Sequence, residues 1–191
     1  MSDLMETEIA NALKVIKGGG VILNPTDTIW GLGCDATNPK AVEKIYSIKR
    51  RAEAKSFIIL LDNMEKLALY VGHIPDIASD LIGNIGNPVT VIYSNGRNLA
   101  PNLIGADGTI GIRIVQDDFC HALISRFGKP IVSTSANFSG EMTPDIFSHI
   151  SEEIKQSVDY IVKYKQENFT RSKASTIIRL YEDGSYTIIR N

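Results

Sequence analysis

Apolar residues recur at helical spacing over residues 3–17, with Ile9, Leu13 and Ile16 on one face. Asp3 and Glu6 are placed to cap the start of that helix, and Gly18-Gly19-Gly20 ends it. A short unbroken apolar run follows, Gly20-Val21-Ile22-Leu23, which reads as a buried strand. Pairing is expected to resume over residues 29–34. Asn38 as cap and Pro39 at the first helical position open a second helix, its inner face formed by Val42, Ile45 and Tyr46.

Further strands are predicted at residues 57–61, 88–93, 109–114, 130–134 and 160–164. Short helices are predicted at 64–71 and 75–82, a longer one over 119–127, and another opening at Thr143-Pro144. The chain closes on an apparent hairpin, residues 175–181 and 186–190 about an Asp183-Gly184 turn, so part of the sheet must be antiparallel. The expectation is a single α/β domain over residues 1–191, mixing helices and strands irregularly, with no internal repeat.

Composition narrows the function classes little. With 20 basic and 22 acidic residues the net charge is -2, so only a local basic patch could speak for nucleic acid. Cys34 and Cys120 lie far apart, and His73, His121 and His149 show no zinc spacing. The acidic first residues lack the apolar segment of a secretory leader, and no apolar run approaches the ~20 residues that span a membrane. These features suggest a reduced, cytoplasmic protein without membrane attachment.

Four stretches carry chemistry. Asn24-Pro25-Thr26-Asp27-Thr28-Ile29-Trp30-Gly31-Leu32-Gly33 clusters hydroxyls at a strand end, a common address of small-molecule sites, although a proline-initiated turn reads equally well. Lys49-Arg50-Arg51, followed by Lys55, suits either a helix C-terminus or a phosphate clamp. Arg113 interrupts an apolar strand and needs a partner if buried, whether an internal acid or a ligand carboxylate. Ser133-Thr134-Ser135-Ala136-Asn137-Phe138-Ser139-Gly140 holds more hydroxyls than a helix cap requires. No phosphate-binding P-loop, nucleophile elbow or carboxylate pair is present. A site of hydroxyls, amides and fixed cations positions reactants and neutralises phosphate.

Taken in order, these stretches, with Pro88-Val89-Thr90, Thr109-Ile110-Gly111-Ile112-Arg113 and Ser175-Thr176-Ile177-Ile178, resemble the YrdC/TsaC family of threonylcarbamoyl-AMP synthases. The resemblance implies a twisted mixed sheet flanked by helices around a large basic concave cavity. It implies condensation of L-threonine, bicarbonate and ATP to threonylcarbamoyl-AMP and pyrophosphate, for N6-threonylcarbamoylation of adenosine 37 in tRNA. Lys49 and Arg51 would then be the catalytic, phosphate-holding cations. Ser135, Asn137, Thr109, Thr143 and Arg190 would complete the ATP site. Thr26, Arg113, Ser133 and Ser175 would bind threonine, and Thr28, Trp30 and Ser139 would form the pocket wall. Magnesium would be carried by ATP with no protein ligand. Implied partners are tRNA or double-stranded RNA and downstream threonylcarbamoyl-transferase proteins. The neighbouring YciO-like branch implies an alternative, an RNA- or nucleotide-binding protein without synthase activity.

Overall fold

The computed structural model describes residues 2–51, 56–84, 88–168 and 174–190. Among them run, in order, α1 (Asp3–Lys17), β1 (Ile22–Asn24), β2 (Gly31–Gly33), α2 (Pro39–Lys49), β3 (Ile58–Leu61), α3 (Leu67–Tyr70), α4 (Ala78–Asn84), β4 (Val89–Tyr93) and β5 (Ile110–Ile114). These are followed by α5 (Asp118–Phe127), β6 (Ile131–Ser135), α6 (Glu152–Ser157), β7 (Tyr160–Ile161), β8 (Thr176–Leu180) and β9 (Tyr186–Arg190). The nine strands form one mixed sheet in the order β7-β1-β2-β6-β3-β5-β4-β8-β9. The terminal hairpin is real and pairs Leu180 with Tyr186. Helices flank both faces.

The two faces carry two separate apolar clusters. On one, α2 delivers Val42, Ile45 and Tyr46 against Leu32, Ile59, Val91 and Ile112. On the other, Ile9 and Ile16 of α1 and Phe119 and Leu123 of α5 cover Ile22, Leu60 and Ile131. Side chains alternate along a strand, so Ile58, Gly111, Arg113 and Ser133 share the face of Leu60. The α1–α5 layer ends before it reaches all of them, and the uncovered part of that face becomes the floor of a cavity.

Several expectations are corrected. The cap of α1 is Ser2, whose hydroxyl accepts from the Met5 amide, while Asp3 and Glu6 sit inside the first turn where they complement the dipole. Strand pairing after Pro25 begins only at Gly31, because Thr26 ties the intervening loop to itself, donating to the Ile29 carbonyl and accepting from the Thr28 amide. Thr143-Pro144 opens no helix; a single 3-10 turn forms at Phe147–His149, and α6 starts only where Ser151 supplies a side-chain cap for the Ile154 amide. Residues 64–71 split into a 3-10 turn and α3, and the helix expected from Pro75 begins at Ala78. The strand expected over 160–164 pairs only through Tyr160 and Ile161. Lys55 lies outside the described residues.

Candidate active site

The cavity on the uncovered face measures about 260 Å³. Its walls come from the β1–β2 loop (Thr28, Ile29, Gly31), the segment after α2 (Arg51, Ser56, Phe57, Ile58), β4 (Thr90), β5 (Arg113) and β6 with its following loop (Ser133, Thr134, Ser135, Thr143). The β8–β9 hairpin adds Ala174, Ser175, Ile177 and Arg190. Three arginines and eight hydroxyls face it, and no described carboxylate lines it. Segments remote in sequence meet here because β6 lies between β2 and β3 and β8 lies beside β4.

Arg113 is the most deeply set cation. Its Nη2 lies 3.1 Å from Asp27 Oδ1, with side chains 4% and 7% exposed. That pair is ionic by separation, not by hydrogen-bond alignment. Nη1 donates to Thr28 Oγ1 at 3.0 Å, and Nε has no hydrogen-bond partner among the described residues. Burial pushes its pKa down, and Asp27 opposes that shift. Both sequence readings therefore meet in one residue: an internal acid neutralises Arg113, its Nε–H is buried without a partner, and the residue lines the cavity. A guanidinium with a donor to spare is built for a planar carboxylate.

Arg51 lies across the cavity. It donates from Nη2 to the Ser56 carbonyl at 3.0 Å, and its guanidinium stands 4.9 Å from the Phe57 ring centre. Arg190 donates from Nε and Nη2 to the Ser175 carbonyl. Ser175 and Thr90 share a hydrogen bond between their hydroxyls at 2.8 Å.

Lys49 stands behind the rim formed by Ser135. It is 2% exposed, and its ammonium donates to the Ser135 carbonyl (2.6 Å), the Asn137 carbonyl (2.7 Å) and Asn137 Oδ1 (3.3 Å). Burial above all, and then the Arg51 charge, lowers its pKa from 10.5 to about 8. Between the two cations, Arg50 adopts a left-handed conformation (φ 52°) and turns its side chain onto the Phe138 ring and Glu153. Asn137 Nδ2 donates to the carbonyls of Phe138 and Glu141, and the Ser139 amide donates to the Lys49 carbonyl. The 135–141 loop is thus organised around the end of α2.

Of the residues singled out from sequence, Arg51, Arg113, Arg190, Ser133, Ser135, Ser175, Thr28 and Thr143 come together at the cavity. Lys49 and Asn137 form the layer behind it, and Ser139 is exposed, tied to that layer by its amide on the Lys49 carbonyl. Thr26 and Trp30 lie on the far side of their loop, around a polar recess of about 60 Å³, and Trp30 packs on Phe147. Thr109 stands apart, donating to Asp107. Sequence reasoning gave no role to Thr90, Ser56 or Thr134. Thr90 carried a signal, as the one aliphatic hydroxyl in the run Val89–Tyr93. Among the described residues no group of three His, Cys, Asp or Glu could hold a metal, and no helix is long and apolar enough to cross a membrane.

A family model described as telomere recombination, Sua5/YciO/YrdC, matches residues 14–191. The chain belongs to the Sua5/YciO/YrdC family. It is 36% identical over 165 residues to a threonylcarbamoyl-AMP synthase of Pseudoalteromonas translucida, covering 85% of this chain and 87% of that one. A putative threonylcarbamoyl-AMP synthase of Methanocaldococcus jannaschii is 31% identical, covering 97% and 88%. Among solved structures, P. abyssi Sua5 complexed with L-threonine matches at 26% identity and a TM-score of 0.83, covering 95% of this chain. The chain spans about half of that Sua5 (53%). E. coli YciO matches at 27% identity and a TM-score of 0.82, covering 96% and 88%. The Sua5/YciO/YrdC architecture expected from the ordered motifs, a mixed sheet flanked by helices, is the one observed.

Proposed function

We propose that this protein condenses L-threonine, bicarbonate and ATP to threonylcarbamoyl-AMP and pyrophosphate. The observation that carries the reading is the buried Arg113, with spare donor capacity, in a cavity lined by hydroxyls and by Arg51 and Arg190. Relatives at 36% and 31% identity that carry the synthase name support it.

Arg113 takes the threonine carboxylate, with Ser133 and Ser175 beside it and Thr26 bracing the loop that holds Thr28. Arg51 and Arg190 face the phosphates, Lys49 adds positive charge from behind the rim while it holds the Ser135 and Asn137 carbonyls, and Ser135, Asn137 and Thr143 shape the nucleotide end. The threonine amine attacks the bicarbonate carbon and water leaves. The resulting carbamate oxygen attacks the α-phosphorus, the bond to the bridging oxygen breaks, and pyrophosphate departs. Holding the reactants in line removes most of the entropic barrier, and fixed cations stabilise charge growing on the leaving group. Magnesium carried by the triphosphate would supply charge neutralisation at pyrophosphate; the cavity lining offers hydroxyls and no described carboxylate, so the phosphates themselves would hold it. The mixed anhydride then passes to a transferase that modifies tRNA.

Purified protein given ATP, bicarbonate and L-threonine should release pyrophosphate faster than without threonine, and Arg113→Ala should abolish the difference. The likeness to E. coli YciO at 27% identity favours a second reading, a nucleotide- or RNA-binding paralogue without this chemistry. ATP binding with no threonine-dependent pyrophosphate release would select it.

A further inference from the structure

We infer that Thr90 makes the amino-acid site selective for a β-hydroxyl, by holding the Ser175 hydroxyl in one direction. The inference rests on the synthase reading above. Thr90 is fully buried (0% exposed) and Ser175 nearly so (4%). Their oxygens are 2.8 Å apart. The antiparallel register that pairs Val91 with Ile112 sets Thr90 opposite Arg113, and β8, with Ser175 just ahead of it, lies along the other side of β4. Arg113, Thr90 and Ser175 therefore stand on three neighbouring strands at one end of the cavity.

Ser175 is fixed at two points: its carbonyl accepts twice from Arg190, and its hydroxyl is tied to Thr90. One hydrogen bond between two hydroxyls consumes one proton and leaves the other uncommitted. With Thr90 as the donor, the free proton is that of Ser175, the more exposed of the pair and part of the cavity wall. An amino acid whose carboxylate meets Arg113 carries a β-hydroxyl only three bonds from the carboxylate carbon. Thr28 is already engaged by Arg113 and Thr26, whereas Ser175 is held in place by a fully buried neighbour, which suits it to meet a substrate hydroxyl. An analogue lacking that group strands a buried polar atom, and buried sites built this way discriminate strongly. Thr90 acts through Ser175, which makes it a positioning residue.

The test compares L-threonine with L-2-aminobutyrate, which has the same carbon skeleton without the hydroxyl, in wild type, Thr90→Val and Thr90→Ser. The ratio of their kcat/KM values in pyrophosphate release is expected to fall at least about tenfold in Thr90→Val, the size of one lost hydrogen bond. Thr90→Ser should restore the ratio, and KM for ATP should stay constant. A ratio unchanged in Thr90→Val overturns the inference, even where both substrates react more slowly. Calorimetric titration of the two amino acids reads the same preference without turnover. A wild type that binds both equally also overturns it. A wild type that prefers threonine but releases no pyrophosphate overturns the synthase reading and leaves the hydroxyl subsite standing, with its loss in Thr90→Val still measurable.

Discussion

At the scale of single residues, the site depends on how burial and pairing set charge. Lys49 has a folded-state pKa of about 8 against an ordinary 10.5. Between those values the unfolded chain binds more protons than the folded one, so the penalty for burying Lys49 is full below about pH 8 and fades as pH rises toward 10.5. Chemical denaturation at pH 7.5 and pH 9.5 should show the wild type gaining stability relative to Lys49→Met. Triphosphate in the cavity acts on this ammonium across the rim and favours its charged form, so ATP binding at pH 8.5 should take up protons, seen as a buffer-dependent calorimetric enthalpy. The Arg113–Asp27 pair behaves differently, because removing one member leaves a buried charge. Asp27→Ala is expected to cost about 3–5 kcal/mol of stability in urea denaturation, and saturating L-threonine should recover part of it by giving Arg113 a carboxylate.

At the scale of elements, the end of α2 decides where the cations point. Asn38 caps its start, accepting from the amides of Lys40 and Ala41, with Pro39 at the first position. Asn38→Ala should cost about 1 kcal/mol, measured by thermal or urea unfolding. At the other end the left-handed Arg50 turns the chain so that Lys49 reaches the 135–141 loop and Arg51 reaches the cavity. Glycine tolerates that conformation and a β-branched residue does not. Arg50→Gly should therefore fold as well as wild type, while Arg50→Val should lose stability and ATP affinity together. The stretch 133–140 stood out in the sequence because its four hydroxyls exceed what a cap needs. Its dependence on Lys49 was not legible, because that contact spans 86 residues.

At the scale of the molecule, the cavity exists because one face of the sheet is only partly covered. α1 and α5 pack against each other and over Ile22, Leu60 and Ile131, and stop short of Ser133 and Thr90. Leu60 sits where that cover meets the floor, one position past Ile59 and opposite Arg113. Leu60→Ala should cost about 2–5 kcal/mol and, by slackening β3 against β5, raise KM for threonine. Gly31 marks the opposite constraint: a methyl group there would lie 3.0 Å from the Thr134 carbonyl oxygen, so Gly31→Ala should loosen the β2–β6 pairing beneath the rim.

The amino-acid sequence by itself determined the local features: capping of α2 by Asn38, the terminal hairpin at Asp183-Gly184, the core-facing stripe Val42, Ile45 and Tyr46, and hydroxyl-rich segments interspersed with cations. Each depends on neighbours a few positions apart, and hydrophobic period and turn chemistry record such relations directly. Only the tertiary structure decided which of those segments share a cavity. It set Arg113 against Asp27, placed Lys49 behind the rim and Arg51 on it, turned Trp30 away toward Phe147, and joined Thr90 to Ser175. The reason is strand order: β6 between β2 and β3, and β8 beside β4, bring together residues separated by up to about a hundred positions, and no local pattern encodes that adjacency.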